Sequence, residues 1–373
     1  MIYHDDTTYL GKSIRNIYPA GSIRNIHPGE IFSVDFDTTN NEAVEMDYPY
    51  KSCLSRATIL GSSCNGIFLV GVYLRDVGPW YPYSFQRNSA IFEVLALWNP
   101  STREFKELPD ILWKFMKDRR TCGKIAYGLG YDSSMDDYKV IRILYYYNIH
   151  EAEDKIKDYE SDIHVYSMRT NSYMRIPGIP YFIMRTLSQR HIINGFFSNK
   201  RHIINGIFLN GAVHWVGRRD PKTTTSEFSL RIVSFNVVNE EFEEIQMPDS
   251  FDSTTPFELG VFEGCLCIYR YNNSVGNVDG FIMNKYGADE SWTNLLRIKH
   301  PQYGYPFPLM FTQIFYITES KHVHFLDRKI GLTKCGIMKI QGDLKRISLL
   351  FQIESYLGSL VSLGGRTAEC STT

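Results

Sequence analysis

Short runs in which apolar and polar residues alternate fill most of the chain, and polar turn residues separate them. In the clearest segments, an alternating run leads into Asp, Asn or other polar residues, and a second run follows that opens on an apolar residue. A period of two on both sides of such a turn is typical of a β-hairpin. The pattern predicts hairpins at 33–46, 94–109, 163–177, 232–248, 280–298 and 322–340.

Most of these segments follow a second, shorter apolar segment, which we interpret as another hairpin. These segments are 65–74, 138–147, 210–217, 264–271 and 310–318. Two hairpins make four strands, which is the content of one propeller blade. The sequence therefore predicts an all-β fold, a β-propeller-like array of about six four-stranded units. Alternation in 351–365 predicts a C-terminal strand that closes the ring and leaves no open sheet edge. A stacked array of β-sandwiches fits the turn signals equally well, and only the repeat count separates the two folds.

Two tandem duplications interrupt this pattern. One copies SIRNIYPAG of 13–21 into 22–30, and the other copies RHIINGFFSNK of 190–200 into 201–210. Loops accept insertions more readily than strands do. We therefore interpret both duplications as expanded surface loops.

Composition and charge narrow the class of protein. The chain has 373 residues, of which 43% are hydrophobic and 22% charged, so it has enough apolar material for a core. The aromatic share of 14% favours strands. Forty basic and forty-one acidic side chains leave a net charge of -1, so neither nucleic acid nor an anionic membrane is an expected partner.

The residues also indicate a compartment. The first residues lack the basic start and apolar run of a secretory signal, and no apolar run reaches the roughly 18 residues of a membrane-spanning helix. Seven cysteines form no CxxC pair. We expect reduced thiols in the cytoplasm or the nucleus.

Candidate chemistry is sparse. His322 and His324 would share one face of a strand, as metal ligands do, but further ligands are not identifiable, so they read as strand residues. Cys265 and Cys267 read as small core residues. No phosphate-binding loop, nucleophile elbow or zinc-protease motif occurs. The expectation is a protein that is not an enzyme and has no cofactor or metal site. A carbohydrate-active propeller would need two carboxylates about 5 to 10 Å apart.

Six segments, in chain order, resemble the plant F-box-associated domain, most closely the group with S-locus F-box and F-box/kelch-like proteins. They are SSCNGIFLV (62–70), LWNPSTREFKELP (97–109), YGLGYDSSMDDYKVIRI (127–143), FLNGAVHWV (208–216), LGVFEGCLCI (259–268) and MNKYGADESWTNLLRI (283–298). The resemblance implies a propeller that receives the protein substrate of an SCF-type ubiquitin ligase. The S-locus likeness implies a pollen-rejection ribonuclease as that substrate.

The resemblance also implies a division of the chain. Residues 1–50 would supply N-terminal strands of the ring after the position of an F-box, 51–365 the propeller, and 366–373 a disordered tail. No F-box pattern is recognisable in 1–50, so either the chain is a fragment of a longer gene product or it works without direct recruitment of the adaptor and cullin. The alternative is a stand-alone scaffold or competitor that binds the same targets.

Two insertions are the predicted partner-binding segments. The first, 75–87, is broken by prolines and carries four aromatic residues, a type favoured at protein interfaces. The second, 181–205, is locally basic and includes one duplicated copy. The predicted partner-binding residues are Trp80, Tyr81, Tyr83, Phe85, Arg185, Arg190 and Arg201. Turn residues such as Asn99 and Asp132 are predicted to be structural.

Overall fold

The computed structural model describes eighteen stretches of the chain. They are 2–4, 31–34, 43–51, 56–73, 94–110, 122–147, 159–184, 202–219, 230–249, 251, 257–272, 277–299, 312–317, 322–329, 332–339, 344–348, 352–354 and 358–367. The described chain divides into two compact units. The first comprises Met1–Asp110 and Leu349–Thr373, and the second Ile111–Ser348.

The described residues form 27 strands and one short 3-10 helix, Asp289–Ser291. In chain order the strands are β1 (Ile2–His4), β2 (Ile31–Val34), β3 (Ala43–Glu45), β4 (Arg56–Ile59), β5 (Phe68–Tyr73), β6 (Val94–Trp98), β7 (Glu104–Glu107), β8 (Cys122–Asp132), β9 (Asp137–Tyr147), β10 (Tyr159–Ser167), β11 (Ser172–Ile176), β12 (Tyr181–Ile183), β13 (His202–Asn205) and β14 (Ile207–Leu209). They continue with β15 (Ala212–Arg219), β16 (Leu230–Asn236), β17 (Phe242–Gln246), β18 (Phe257–Phe262), β19 (Cys265–Asn272), β20 (Asn277–Met283), β21 (Trp292–Lys299), β22 (Thr312–Ile317), β23 (His322–Lys329), β24 (Leu332–Lys339), β25 (Leu344–Ser348), β26 (Gln352–Glu354) and β27 (Arg366–Thr367).

These strands form six small sheets. In the first unit, sheet 1 has the order β26-β1-β2-β3 and sheet 2 the order β27-β7-β6-β5-β4. In the second unit, sheet 3 is β11-β10-β9-β8-β13, and sheet 4 is β12-β15-β16-β17 with β14 also on β15. Sheet 5 is β18-β19-β20-β21, and sheet 6 is β22-β23-β24-β25. The all-β, propeller-like prediction is confirmed, whereas the number of propeller units stays a prediction.

All six predicted hairpins are present, each with two neighbouring antiparallel strands. For example, 94–109 contains β6 and β7, and 163–177 contains β10 and β11. The shorter segments before them were wrongly interpreted as hairpins. Each contains a single strand, as Tyr138–Tyr147 lies within β9. In 65–74 and 210–217 the turn residues Asn65–Gly66 and Asn210–Gly211 stand at the start of the segment, so only the strand after the turn lies inside it.

Residues with positive φ form the tight turns. Asn65–Gly66, Asn210–Gly211 and Glu263–Gly264 have φ of 50 and 78°, 50 and 76°, and 48 and 73°. Two successive positive φ values are typical of the type I′ turn, whose twist suits an antiparallel hairpin. The Asn210–Gly211 turn connects β14 to β15, and the Glu263–Gly264 turn connects β18 to β19. Asn65–Gly66 lies in the connection between β4 and β5.

A second turn design begins with a side chain that accepts backbone N–H bonds. The Oδ1 atom of Asn236 accepts from the amides of Val238 and Asn239, and Glu240, four residues after Asn236, has φ of 58°. Asn99 and Arg103 repeat this arrangement in the β6–β7 turn, and Asp132 and Asp136 repeat it in the β8–β9 turn. The predicted structural role of these turn residues is confirmed.

The second duplicated copy is not a loop. His202–Asn205 forms β13, which pairs in parallel with β8, and Ile207–Leu209 forms β14, which pairs with β15. Ile204 is buried, so β-branched side chains of the copy contribute to the core. The loop interpretation was therefore wrong for these residues, while 190–200 lies outside the described chain.

Gly206, between β13 and β14, marks the point where the chain passes from sheet 3 to sheet 4. Its amide donates to the carbonyl of Tyr127 at 2.7 Å, and the Nε1 atom of Trp215 donates to the same carbonyl at 3.1 Å. A Cβ on Gly206 or Gly128 would lie 2.7 Å from the Trp215 indole. The absence of these Cβ atoms lets the buried indole lie between the two sheets.

C-terminal residues complete both sheets of the first unit. Strand β26 pairs with β1, and β27 pairs with β7. Arg366 and Thr367, assigned to the tail from sequence, thus form a strand, while 368–373 lies outside the described residues. The predicted strand in 351–365 corresponds to β26.

Asn99 holds the segment before β27. Its Nδ2 atom donates to the carbonyls of Ser359 at 3.0 Å and Val361 at 2.8 Å. The amide of Leu363 donates to Glu104 at 2.8 Å. The NPST turn of the β6–β7 hairpin therefore fixes a segment about 260 residues away in sequence.

In the described part of the chain, no helix has the length and apolarity needed to cross a membrane.

Candidate functional site

The predicted partner-binding residues cannot be placed. Trp80, Tyr81, Tyr83, Phe85, Arg185, Arg190 and Arg201 all lie outside the described residues, so their role stays a prediction. Strands β5 and β6 flank the first of their segments, 75–87. The two ends of the second segment, 181–205, are the strands β12 and β13, so its ends are not an inserted loop.

Each antiparallel sheet has two distinct ends. In sheets 3, 4 and 5 the connections β8–β9, β10–β11, β14–β15, β16–β17, β18–β19 and β20–β21 lie at one end, which we call the turn end. The β9–β10, β15–β16 and β19–β20 connections lie at the opposite end, which we call the loop end, because successive connections in an antiparallel meander alternate between ends. The described turns at the turn end are short, and most have a fixed backbone shape.

A buried aromatic cluster lies at the loop end of sheets 3 and 4. The ring of Phe182 contacts those of Tyr145 and Tyr159, with centroids 5.1 and 5.0 Å apart. Lys124 and Arg218 both lie over the Phe182 ring, at 4.3 and 5.1 Å. The cluster joins β8, β9 and β10 of sheet 3 to β12 and β15 of sheet 4.

Hydrogen bonds fix the cluster to the backbone of β12. The hydroxyl of Tyr145 donates to the carbonyl of Tyr181 at 3.0 Å and accepts from the amide of Ile183 at 3.2 Å. Burial raises the pKa of Tyr145 well above its usual value, so the phenol stays protonated. It is a structural link, and it does not act as a base.

An ion pair covers the edge of sheet 4 beside this cluster. Arg219 donates to both carboxylate oxygens of Glu244, at 2.5 and 2.9 Å. Burial acts to raise the pKa of Glu244, but hydrogen bonds from Arg219 and Tyr181 outweigh it and lower that pKa. A carboxylate that is ionised and paired in this way is not a general acid at neutral pH.

Lys139 links the turn ends of sheets 3 and 4. Its buried Nζ atom lies 2.7 Å from the carbonyl of Val237, 2.8 Å from Glu240 and 3.2 Å from Asp132. Burial disfavours the ammonium, yet the hydrogen bonds to Glu240 and Asp132 raise the pKa of Lys139. The β8–β9 and β16–β17 turns are thereby fixed to each other.

His214 makes the corresponding link from sheet 4 to sheet 5. Its Nδ1 atom is 3.1 Å from the carbonyl of Ile207, and its Nε2 atom is 2.7 Å from the hydroxyl of Tyr286. Since a carbonyl only accepts, Nδ1 carries the proton of the neutral ring and Nε2 accepts from Tyr286. Burial lowers the pKa of His214 to about 4.

This buried histidine predicts a pH-dependent stability. The folded pKa of about 4 lies below the usual 6.5, so stability is fully present above pH 6.5 and declines as the pH falls toward 4. His214→Gln is expected to reduce the loss between pH 7 and pH 5 by about 2 kcal/mol, measured from urea midpoints. His164, whose pKa is also lowered, remains in both proteins and cancels in the comparison. An unchanged pH slope in the variant would contradict the assignment.

Four large apolar side chains are exposed at the turn end of sheets 3 to 5. Met135 is 51% exposed, Val238 51%, Val261 41% and Tyr286 37%. We call these four residues, with the turns that carry them, the turn surface. The sequence analysis missed it. The available signal was an apolar residue inside an otherwise polar turn, as in DSSMDD of 132–137 and NVVNEE of 236–241.

Charge surrounds the turn surface unevenly. The exposed acidic residues in or next to its turns are Asp136, Glu241, Glu243, Glu263, Asp289 and Glu290, whereas the exposed basic ones among the described residues are Arg169 and Lys285. Six carboxylates against two cations give this end an acidic excess, although the whole chain is near neutral. The arrangement suits an apolar contact inside an acidic rim.

Of the remaining chemical candidates, Cys267 has a structural role. Cys267 lies in the core of sheet 5, and burial raises the pKa of its thiol to about 12, so it is not a reactive thiolate. His322 and His324 lie two apart in β23, as expected for a strand. Among the described residues, no three His, Cys, Asp or Glu side chains group as a metal site requires.

Comparison with known proteins gives a family and relatives. The sequence profile described as the F-box associated beta propeller domain matches residues 88–363. The F-box protein CPR1 of Arabidopsis thaliana is 31% identical over 229 residues, covering 59% of this chain and 52% of that protein. The F-box protein At4g22390 of the same plant is 28% identical over 208 residues, covering 56% and 49%. The chain thus spans about half the length of the curated relatives it matches.

Solved structures show only a distant likeness. The hemagglutinin-neuraminidase ectodomain of parainfluenza virus 5 is 8% identical, covering 80% of this chain and 73% of that chain, with a TM-score of 0.41. A likeness at this level carries no argument about activity.

Proposed function

Since this chain belongs to the F-box associated beta propeller domain family, we propose that it is a protein-binding module which receives the substrate of an SCF-type ubiquitin ligase. The observation that supports this proposal is the family match over 88–363, joined by relatives that are themselves called F-box proteins. In an SCF ligase the transfer of ubiquitin is performed elsewhere in the complex, so the module's task is selective binding.

The architecture suits that task. Small rigid sheets present turns and connections at their ends, as binding proteins built on strands do. The titratable groups described above are either buried and neutral, as Tyr145 and His214 are, or ion-paired, as Glu244 is. Their arrangement supports binding and gives no general acid or base.

Affinity purification from Arabidopsis thaliana cells tests the proposal. The tagged chain is the bait, a proteasome inhibitor preserves substrates, and mass spectrometry identifies proteins and their ubiquitin sites. We expect the adaptor and cullin together with proteins that carry ubiquitin. The control bait is the tag alone, so a protein recovered with both baits does not bind this chain.

The recovered proteins distinguish a ligase module from a stand-alone binder. Specific proteins recovered with the adaptor support the ligase module. Specific proteins without the adaptor contradict the ligase role and favour a stand-alone binder or competitor. Recovery of nothing beyond the control contradicts protein binding itself. A pollen-rejection ribonuclease among the specific proteins would support the substrate that the S-locus likeness implies.

A further inference from the structure

The described exposed apolar side chains of the second unit gather at one end of its sheets. Apart from Met174 on the edge strand β11, every large apolar residue exposed among the side chains that the structure describes in sheets 3 to 5 belongs to the turn surface. Single exposed apolar residues are common on any protein. Three of them, Met135, Val238 and Tyr286, lie in turns of three sheets, and a turn otherwise favours Gly, Asn, Asp, Pro and Ser. Val261 is the next-to-last residue of β18, beside the Glu263–Gly264 turn.

The turns that carry these residues are fixed to one another. Lys139 ties the turn of Met135 to that of Val238 through Asp132 and Glu240. The amide of Val237 also donates to the carbonyl of Gly211 at 3.0 Å, which joins two turns of sheet 4.

Sheet 5 is tied to sheet 4 in the same way. His214 accepts from the hydroxyl of Tyr286, and the two rings meet edge to face with centroids 5.6 Å apart. The turn after Val261 lies at the same end of sheet 5 as the turn of Tyr286. Met135, Val238 and Tyr286 are therefore presented by turns that side-chain contacts fix to their neighbouring sheets, and little ordering entropy is lost when such a surface binds.

We propose that the turn surface is a docking site for a basic segment of a partner protein, with Met135 and Val238 as its apolar anchors. The inference rests on the proposed function and names the surface that performs it. Six exposed carboxylates against two cations select positive charge in the partner and repel acidic segments. Methionine adapts its shape to different apolar side chains and is enriched at interfaces.

Site-specific photo-crosslinking tests the location. The photoreactive residue p-benzoylphenylalanine replaces Met135 in one full-length chain, Val238 in a second and Met174 in a third, each produced in Arabidopsis thaliana cells. Met174 is the matched control, because it is 52% exposed against 51% for Met135 but belongs to the edge strand β11. We expect cross-links from 135 and 238 to a partner peptide of net positive charge, and none to that partner from 174.

Substitution tests the energetics with the partner identified by that cross-link. The double variant Met135→Asp/Val238→Asp is expected to bind it about tenfold more weakly, while Met174→Asp binds as the native chain does. Glu241→Lys is expected to weaken binding further, and added salt to weaken the native complex. Far-UV circular dichroism confirms that each variant is folded.

The results separate this inference from the function on which it rests. Three results would overturn the docking site and leave the binding function in place. In the first the partner cross-links equally from 174, in the second it cross-links only through acidic or neutral peptides, and in the third it keeps its affinity for the double variant. If the native chain recovers no specific partner relative to the tag alone, both the docking site and the binding function are overturned.

Discussion

Replacing Trp215 with alanine is expected to lower the free energy of unfolding of the second unit by about 4 kcal/mol. The indole is 1% exposed and packs between sheets 3 and 4, against Gly128, Gly206 and Val213. Its removal leaves a cavity between two sheets whose backbones are held apart by the hairpins on either side, so the cavity cannot fully close. The bond from Nε1 to the Tyr127 carbonyl is lost as well.

Urea unfolding followed by far-UV circular dichroism measures this effect. A more selective comparison uses phenylalanine at each of two tryptophans that donate to a backbone carbonyl. Trp215→Phe is expected to lower the free energy of unfolding by about 2 kcal/mol. The Nε1 atom of Trp292 donates to the carbonyl of Gln246 at 3.0 Å, but Trp292 is partly exposed, so Trp292→Phe is expected to lower it by less than about 1 kcal/mol. Equal costs would show that the packing between sheets 3 and 4 has been misjudged.

Asn99→Ala is expected to destabilise the first unit by about 3 kcal/mol. The Asn99 side chain is fully buried, donates to the carbonyls of Ser359 and Val361, and accepts from the amide of Ser101 at 2.9 Å. Alanine removes three hydrogen bonds of a fully buried side chain, each of which contributes about 1 kcal/mol. Hydrogen exchange in 358–367, read by mass spectrometry, is expected to accelerate in the variant.

Asn236 offers a matched control. Its Oδ1 atom accepts from the amide of Val238 at 2.9 Å and forms the same kind of turn in sheet 4. The comparison therefore concerns the turn bond, which both asparagines make, and leaves out the bonds from Asn99 to the C-terminal segment. Asn236→Ala is expected to cost about 1 kcal/mol. Asn99→Asp keeps the acceptor and removes the donor, so a cost near that of alanine would assign the effect to the C-terminal segment. A cost near zero for Asn99→Asp would assign it to the turn alone.

Local features of this fold were predictable from sequence. Alternation with period two and polar turns such as that at Asn99 depend on neighbouring residues, so they locate hairpins such as β6–β7 without knowledge of the rest of the chain. Strand β13 was missed for the same reason: a tandem copy resembles an inserted loop, and its pairing with β8, some 78 positions away at His202 and Lys124, leaves no local mark.

The candidate site was predictable only in part. Sequence indicates that Met135 and Val238 are apolar residues in polar turns, but their connection depends on Lys139 reaching Val237, 98 residues away. The spacing of charges around them depends on how three sheets pack. A contact between two turns depends on how neighbouring sheets pack, and the periodicity within each strand does not predict it.

The hydrogen bonds from Asn99 to Ser359 and Val361 affect the order in which the two units are completed during synthesis. Strands β4 to β7 are synthesised before the second unit. The carbonyls of Ser359 and Val361, which accept from Asn99, are synthesised only after the whole second unit. Contacts between such distant positions form slowly, and β7 presents an unpaired edge until β27 arrives. The nascent protein therefore has a folded second unit and an unfinished first one, and that interval is when it most needs a chaperone.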